Sequence, residues 1–360
     1  MASPIFVSKP SDSFSVGVVL RGIQIAALSS YRSLKNPAVY TTSCIIKVTI
    51  FTVAVYVFVN IPTYILKTII FVLKYSQIYP VNSHHILSTF HYFVNNYLNL
   101  TIFGITAISH FDSLFDDLFL VNLEFTDSVN SSQYHANLVQ LPCVQSTWKE
   151  FPTSLESLNL LLRNNPRFKV FIQTYAKFYL FNLLVFLLIS FPGKFTSLVL
   201  GFLSFQTFHD KLGTLPSLLL IASLSMVHYH YTAVVLIYFY SSTRLSLDLL
   251  VPFFNRINLT QFERNQWKKS RDGIIFGFGL FHFWLIKKYP FLAVVIYSIA
   301  LLNMGYFVTR LSETPPPNPN QLINWNTTQL IWNRQFEVTN GDFVNEPFDP
   351  FPGSFIFNLP

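Results

Sequence analysis

Lys287 and Lys288 interrupt an apolar run from Ile274 to Thr309, in the stretch FHFWLIKKYPFLAVV. Two adjacent ammonium groups before Pro290 can contact an anion or a phospholipid headgroup. They can also snorkel and do no more than fix the depth of a turn. The other side chains with chemistry are scattered. His228 and His230 flank Tyr229. At i and i+2 of a helix they face different sides, so interhelical hydrogen bonding suits them better than chelation. His110, Asp112, Asp116 and Asp117 form HFDSLFDD. Asp112 and Asp116 share a helix face and offer oxygen ligands to a hard cation, although two carboxylates on the wet side of an amphipathic helix need no metal. His84, His85 and His91 lack the cysteine or acidic neighbours of a ligand cluster. His209-Asp210-Lys211 reads as a solvated turn. Gly277 and Gly279 in FGFG belong to no phosphate-binding loop; they suit close helix packing or a bend in a hairpin arm. No Ser-His-Asp constellation, HExxH or acyl-transfer motif is present. The expectation is a non-enzymatic protein with no catalytic residues, no cofactor and no metal site.

The elements that carry these residues are set by composition. The 360 residues are 51% hydrophobic and 11% charged, with mean hydropathy +0.41. Soluble domains carry about 25% charged residues, and so few charges cannot cover a water-facing surface of this size. The phospholipid bilayer is therefore the expected partner, and the 39 Phe and 18 Tyr suit acyl chains and interfaces. Net charge +7 fits cytosolic flanks and anionic headgroups. Without an RNA-binding motif or a long basic run, nucleic acid is not expected. Cys44 and Cys143 make no disulfide framework. The first 15 residues lack the apolar core of a signal peptide.

Along the chain, residues 1–43 read as a cytosolic segment. Its stretch 16–36 has apolar residues at helical spacing. That fits an interfacial helix with its basic side toward headgroups, or an ordinary core-packing helix. Residues 44–312 form the membrane domain. The apolar stretch 44–73 measures about 45 Å as one helix, against a hydrocarbon core of roughly 30 Å. Asn60-Ile61-Pro62 lies in its middle, so either one long helix kinks there or two half-length helices form a hairpin. Residues 97–109 can dip into the bilayer, and 125–165 read as a polar loop. Residues 168–191 make a transmembrane helix ended by Pro192-Gly193. Residues 195–208 are too short to span, while 215–240 are long enough to cross. Residues 242–273 are a basic loop, and the excess of Arg and Lys places it in the cytosol. Two lysines cost roughly 2.5–3.5 kcal/mol each at the bilayer centre. Lys287-Lys288-Tyr289-Pro290 must therefore turn at an interface or a wet cleft, with 274–286 and 291–309 as hairpin arms. TPPPNPN starts a Pro-rich extended tail, 313–360, expected in the cytosol. Asn-x-Ser/Thr sequons at Asn99, Asn130, Asn258 and Asn326 are of the frequency an Asn-rich chain produces by chance.

Three stretches carry a resemblance: VVLRGIQIAALSSYRSLKNPAVYT near the start, SHFDSLFDDLFLVNLEFTD around 109–127, and WKKSRDGIIFGFGLFHFWLIKKYPFLAVVIYSIALLNMGYFVTRLSETPPP around 267–317. They resemble fungal transmembrane proteins called UsgS, with the LRG opening, the RxLxNP turn, an acidic-aromatic helix and a GFG hairpin before a Pro-rich stretch. The resemblance covers most of 16–317, least in 125–215. It implies an architecture rather than an activity. The layout is also distantly similar to the superfamily containing the sulfate permease CysZ and outer-spore-wall proteins of lipid droplets. That similarity implies either anion passage or lipid handling, and no ligand motif carries over.

The expectation is an all-α, polytopic integral membrane protein with full transmembrane helices plus half-length helical hairpins. Residence is expected in the endoplasmic reticulum or connected membranes, or on lipid droplets, with both termini cytosolic. The expected role is membrane or lipid organisation; the alternative is a small-anion transporter or channel. Lys287 and Lys288 are the candidate headgroup or anion contacts. Gly277, Gly279, Pro290 and Pro62 are the candidate hairpin and packing positions. A homo-oligomer is compatible with the sequence.

Overall fold

The computed structural model describes residues 14–75, 100–109, 114–142, 166–190, 194–226, 229–257 and 259–330. These residues form fourteen α-helices and no strand. In chain order the first seven are α1 Val16–Ser33, α2 Thr42–Tyr75, α3 Leu100–Ser109, α4 Leu114–Asn130, α5 Tyr134–Gln140, α6 Pro166–Ser190 and α7 Lys194–Leu212. They are followed by α8 Thr214–Met226, α9 Tyr229–Leu249, α10 Val251–Ile257, α11 Gln261–Ser270, α12 Asp272–Lys288, α13 Ala293–Leu311 and α14 Pro319–Gln329.

Two apolar helices of similar length sit in opposite surroundings. Among the described residues, two helices are long and apolar enough to cross a membrane, Cys44–Val72 in α2 and Pro290–Leu311 ending in α13. In the most apolar 18 residues of each, 6% are buried in the first and 78% in the second. Along α2, Ile46, Ile50, Val53, Val57, Ile61, Ile65, Ile69 and Val72 all stay exposed. None of the described residues covers this face, and an apolar surface of this length suits lipid. Around α13, by contrast, α1, α4 and α12 close a continuous core that includes Phe119, Leu123, Phe278, Ala300 and Phe307.

α2 runs unbroken through Pro62, which resolves the choice between a long helix and a hairpin. A proline removes one hydrogen bond from the helix ladder. Side chains on either side add bonds to the ladder: Asn60 Nδ2 donates to the Tyr56 oxygen at 2.8 Å, and Thr68 Oγ1 to that of Tyr64 at 2.9 Å. At 34 residues, α2 is about 51 Å long, well beyond a 30 Å hydrocarbon core.

A third candidate span is α9 with α10, bent by 45° at Leu250. Pro252 in the first turn of α10 accounts for the break. The stretch 215–240 is not one crossing, since its residues are shared between α8 and α9. Thr232 Oγ1 donates to the Leu224 oxygen at 3.3 Å, whereas eight residues of continuous helix would separate them by about 12 Å. α7 and α8 form a helical hairpin around Gly213, whose φ of 85° suits only glycine without strain. The second hairpin is α12 and α13, turned by Tyr289 and a three-ten segment Pro290–Leu292. Pro290 opens that segment.

Three further stretches differ from the sequence reading. The polar loop of 125–165 is helical where described. α4 continues to Asn130, and Asp127 then accepts from Ser132 Oγ at 2.5 Å and from the His135 N–H at 2.7 Å, closing the turn into α5. The basic loop of 242–273 consists of the end of α9, α10, α11 and the start of α12, with Arg256, Trp267 and Arg271 buried. Residues 319–329 form α14 rather than an extended tail, and Gln329 clamps Glu313 at its backbone and its carboxylate, both at 3.1 Å. Residues 331–360 lie outside the described residues.

Candidate functional site

The hairpin tip carries the two lysines. Lys288 is exposed, with its ammonium 4.8 Å from the Trp284 ring centre and 5.5 Å from that of Tyr289. Lys287 is half-buried. Trp284, Tyr289, Phe291 and Leu292 are all exposed around them. Aromatic rings with a cation resting on them match the chemistry of a membrane–water interface.

Gly277 and Gly279 open opposite sides of α12. A Cβ on Gly277 would meet the Val19 carbonyl oxygen of α1 at 2.1 Å, and one on Gly22 would meet that of Ile274 at 2.3 Å. The α1 and α12 backbones therefore touch. On the other side, a Cβ on Gly279 would lie 1.8 Å from Ser246 Oγ of α9. Ser246 donates to the Ile275 oxygen at 2.9 Å. Small residues meeting this way are the usual means of joining helices in lipid.

α1 lies across both hairpin arms. Gly22 meets α12, while Ser30 and Arg32 reach Asn303 and Tyr306 of α13. Its buried face includes Arg32, whose guanidinium stacks 4.4 Å from the Tyr306 ring centre. This is core packing; a face turned toward headgroups cannot include Arg32. The outward face instead shows Val16, Leu20, Tyr31 and Leu34.

Where α1 crosses, a hydrogen-bonded chain joins three helices. The Phe278 oxygen lies 2.9 Å from His282 Nδ1 and can only accept, so Nδ1 bears the proton. Nε2 then accepts from Asn303 Nδ2 at 2.9 Å. The second amide proton goes to Ser30 Oγ at 2.6 Å, and Ser30 donates to the Ala26 oxygen at 2.7 Å. His282 and Asn303 are fully buried. This is a structural clasp, with its histidine already bonded on both nitrogens.

At the far end of the hairpin, Arg271 is 1% exposed. Its Nε donates to the Leu311 oxygen at 2.9 Å; its Nη1 donates to the Trp267 oxygen at 3.3 Å and Ser270 Oγ at 2.8 Å. The guanidinium thus sits between the C-termini of α11 and α13, where the helix dipoles favour a cation.

A second polar cluster closes the lower end of α9. Arg244 Nη2 donates to Asp248 Oδ1 at 2.8 Å, and the Tyr175 hydroxyl of α6 donates to Oδ2 at 2.6 Å. Thr106 of α3 lies 2.7 Å from the same hydroxyl. Beyond it on α11, Arg264 and Lys268 stand 5.0 and 5.7 Å from the Phe254 ring centre. Burial, together with Arg264 and Arg244 nearby, pushes the Lys268 ammonium down to about 8.

The other sequence candidates form no cluster among the described residues. Asp116 and Asp117 occupy the first turn of α4, where a helix N-terminus favours carboxylates. Among the described residues no three His, Cys, Asp or Glu side chains could hold a metal. His84, His85, His91, His110, Asp112 and His228 lie outside the described residues. Lys211 is more than a solvated turn residue, because it pairs with Asp272 at the start of α12 and ties the two hairpins together.

His282, Asn303, Arg271 and Asp248 were not marked by spacing motifs. A signal for the first two was present. Positions 282 and 303 pair in the same antiparallel register as 278 and 307, whose rings lie 4.3 Å apart one turn further from the hairpin tip. Comparison with known proteins gives no match: no family model, no curated protein and no solved structure resembles this chain.

Proposed function

We propose that this chain organises lipid in a bilayer and catalyses nothing. The carrying observation is the apolar length of α2 that the described residues leave uncovered, beside a core in which His282, Asn303 and Arg271 are held by hydrogen bonds between helices. A catalytic site needs converging groups that reach a substrate; His282, Asn303, Arg271 and Asp248 are committed to structural bonds instead. The continuous α2 favours a bilayer over a droplet monolayer, since a long helix through one leaflet would leave its far end in oil. The endoplasmic reticulum and connected membranes are the proposed residence, with the basic α10–α11 end cytosolic by the positive-inside rule. The aromatic tip at Trp284–Leu292 sets the depth of the hairpin.

The test is twofold. The chain, drawn out of membranes in polymer nanodiscs, should carry a lipid shell of different composition from the bulk membrane, and reconstituted liposomes should show no chloride or sulfate flux. A shell identical to bulk lipid overturns the reading. So does anion flux that disappears when Lys287 and Lys288 are both changed to Gln, which would establish transport.

A further inference from the structure

A small cavity lies where α1, α4 and α13 meet. Its walls are Arg32 of α1, Asn122, Phe125, Thr126 and Val129 of α4, and Tyr306 of α13. The space is about 10 Å³, room for one group the size of a water. Asn122 is 2% exposed. Its Nδ2 donates to the Leu302 oxygen at 2.6 Å, and that carbonyl can only accept, so the orientation of the amide is fixed. The Asn122 atom left to face the cavity is Oδ1. It is closed off from solvent and receives no hydrogen bond from any described residue. Thr126 does not supply one, because its hydroxyl donates to the Asn122 main-chain oxygen at 2.8 Å. A buried amide oxygen without a donor is costly, and the cost is recovered when a donor arrives.

The walls choose the class of donor. Arg32 and Arg310 stand 4.4 and 5.2 Å from the Tyr306 ring centre. An ammonium entering here would meet two guanidiniums. An anion would meet the lone pairs of Oδ1, and a hydrocarbon group would leave that oxygen as it is. A neutral hydroxyl gives its proton to Oδ1 and turns its own lone pairs toward the positive side.

We propose that this cavity binds a hydroxyl group, which donates to Asn122 Oδ1 and bridges α4 to α1 and α13. Water carries that group at the size of the cavity. The other carrier is a lipid hydroxyl that reaches in while its chain stays outside. The site stands on the three-helix junction alone and goes beyond the lipid-organising reading.

Two measurements on the full chain test it. The first is a structure in nanodiscs at a resolution that shows ordered water. A density peak is expected within hydrogen-bond distance of Asn122 Oδ1. An isolated peak supports the site and assigns it water; a peak continuous with lipid density supports it and assigns a lipid hydroxyl. No peak there, or a protein donor on Oδ1, overturns the site. The second is the melting temperature of Val129→Ile, which pushes one more carbon into the cavity. Filling a void that binds nothing stabilises a protein, whereas displacing a bound hydroxyl strands Oδ1. Val129→Ile should therefore lower the melting temperature by about 2–4 °C. In an Asn122→Leu background, which lacks the acceptor, the same change should not lower it. A rise in the otherwise unchanged chain, or equal falls in both backgrounds, overturns the proposal.

Discussion

Single side chains here work mainly as joints between helices. Asn303 is the clearest case, because its amide serves His282 and Ser30 at once. Asn303→Ala leaves the His282 Nε2 acceptor buried without a donor, and should cost roughly 1–3 kcal/mol, read as a lower melting temperature in detergent. Arg271 is a joint of a different kind. Its planar fork reaches carbonyls on two helices, and an ammonium cannot span both. Arg271→Lys should therefore melt nearly as low as Arg271→Met. Lys268 carries a pH signature. Its folded value of about 8 lies below the ordinary 10.5, so between these values the unfolded chain holds more protons and stability rises with pH. The gain from Lys268→Gln should be largest below about pH 8 and fade by about pH 10.5. Equal gains at pH 7 and pH 10.5 would contradict the burial of that ammonium.

Helices in this protein meet where backbones can touch. α12 receives α1 at Gly277 and α9 at Gly279, and an added methyl has no room at either. Gly277→Ala should force α1 away and cost roughly 1–3 kcal/mol. Gly201 in α7 is the control, since its Cβ would come no closer than 4.0 Å to Ile221. There alanine should stabilise by about 0.5–1 kcal/mol, the propensity difference in a helix. Similar melting of the two variants would remove the close crossing from the account.

The sequence shows the α12–α13 hairpin because lysines and a proline cannot sit mid-bilayer. It does not show that α1 lies across the arms. The period that marks one apolar face cannot distinguish lipid from protein as its partner, and Arg32 looks like a headgroup contact until Tyr306 is brought beneath it. The 242–273 segment misleads for a related reason. Its charges read as a loop, yet they belong to helices that bury Trp267 and pair or stack their cations. The break between α8 and α9 is invisible to hydropathy, which is high on both sides.

At the scale of the whole molecule, apolar composition has two destinations. α13 is apolar because it forms the centre of a protein core, whereas α2 keeps an apolar length that the described residues leave uncovered, as a lipid-facing helix does. A carboxylate on the two should therefore fail differently. Val57→Asp, near the middle of the exposed length of α2, should impair membrane insertion, with a cost of about 2.5–3.5 kcal/mol at the helix centre. Alkaline extraction would show that variant released from membranes. Ala300→Asp, on the buried side of α13, should leave the chain in the membrane but unfold its core.

The most direct measurement places spin labels at Val57 of α2 and at Ile323 of α14 in the reconstituted protein. Both residues are exposed. The account predicts that the Val57 label collides more often with oxygen, which concentrates in hydrocarbon, and the Ile323 label with a water-soluble nickel chelate. A Val57 label that favours the nickel reagent would contradict it.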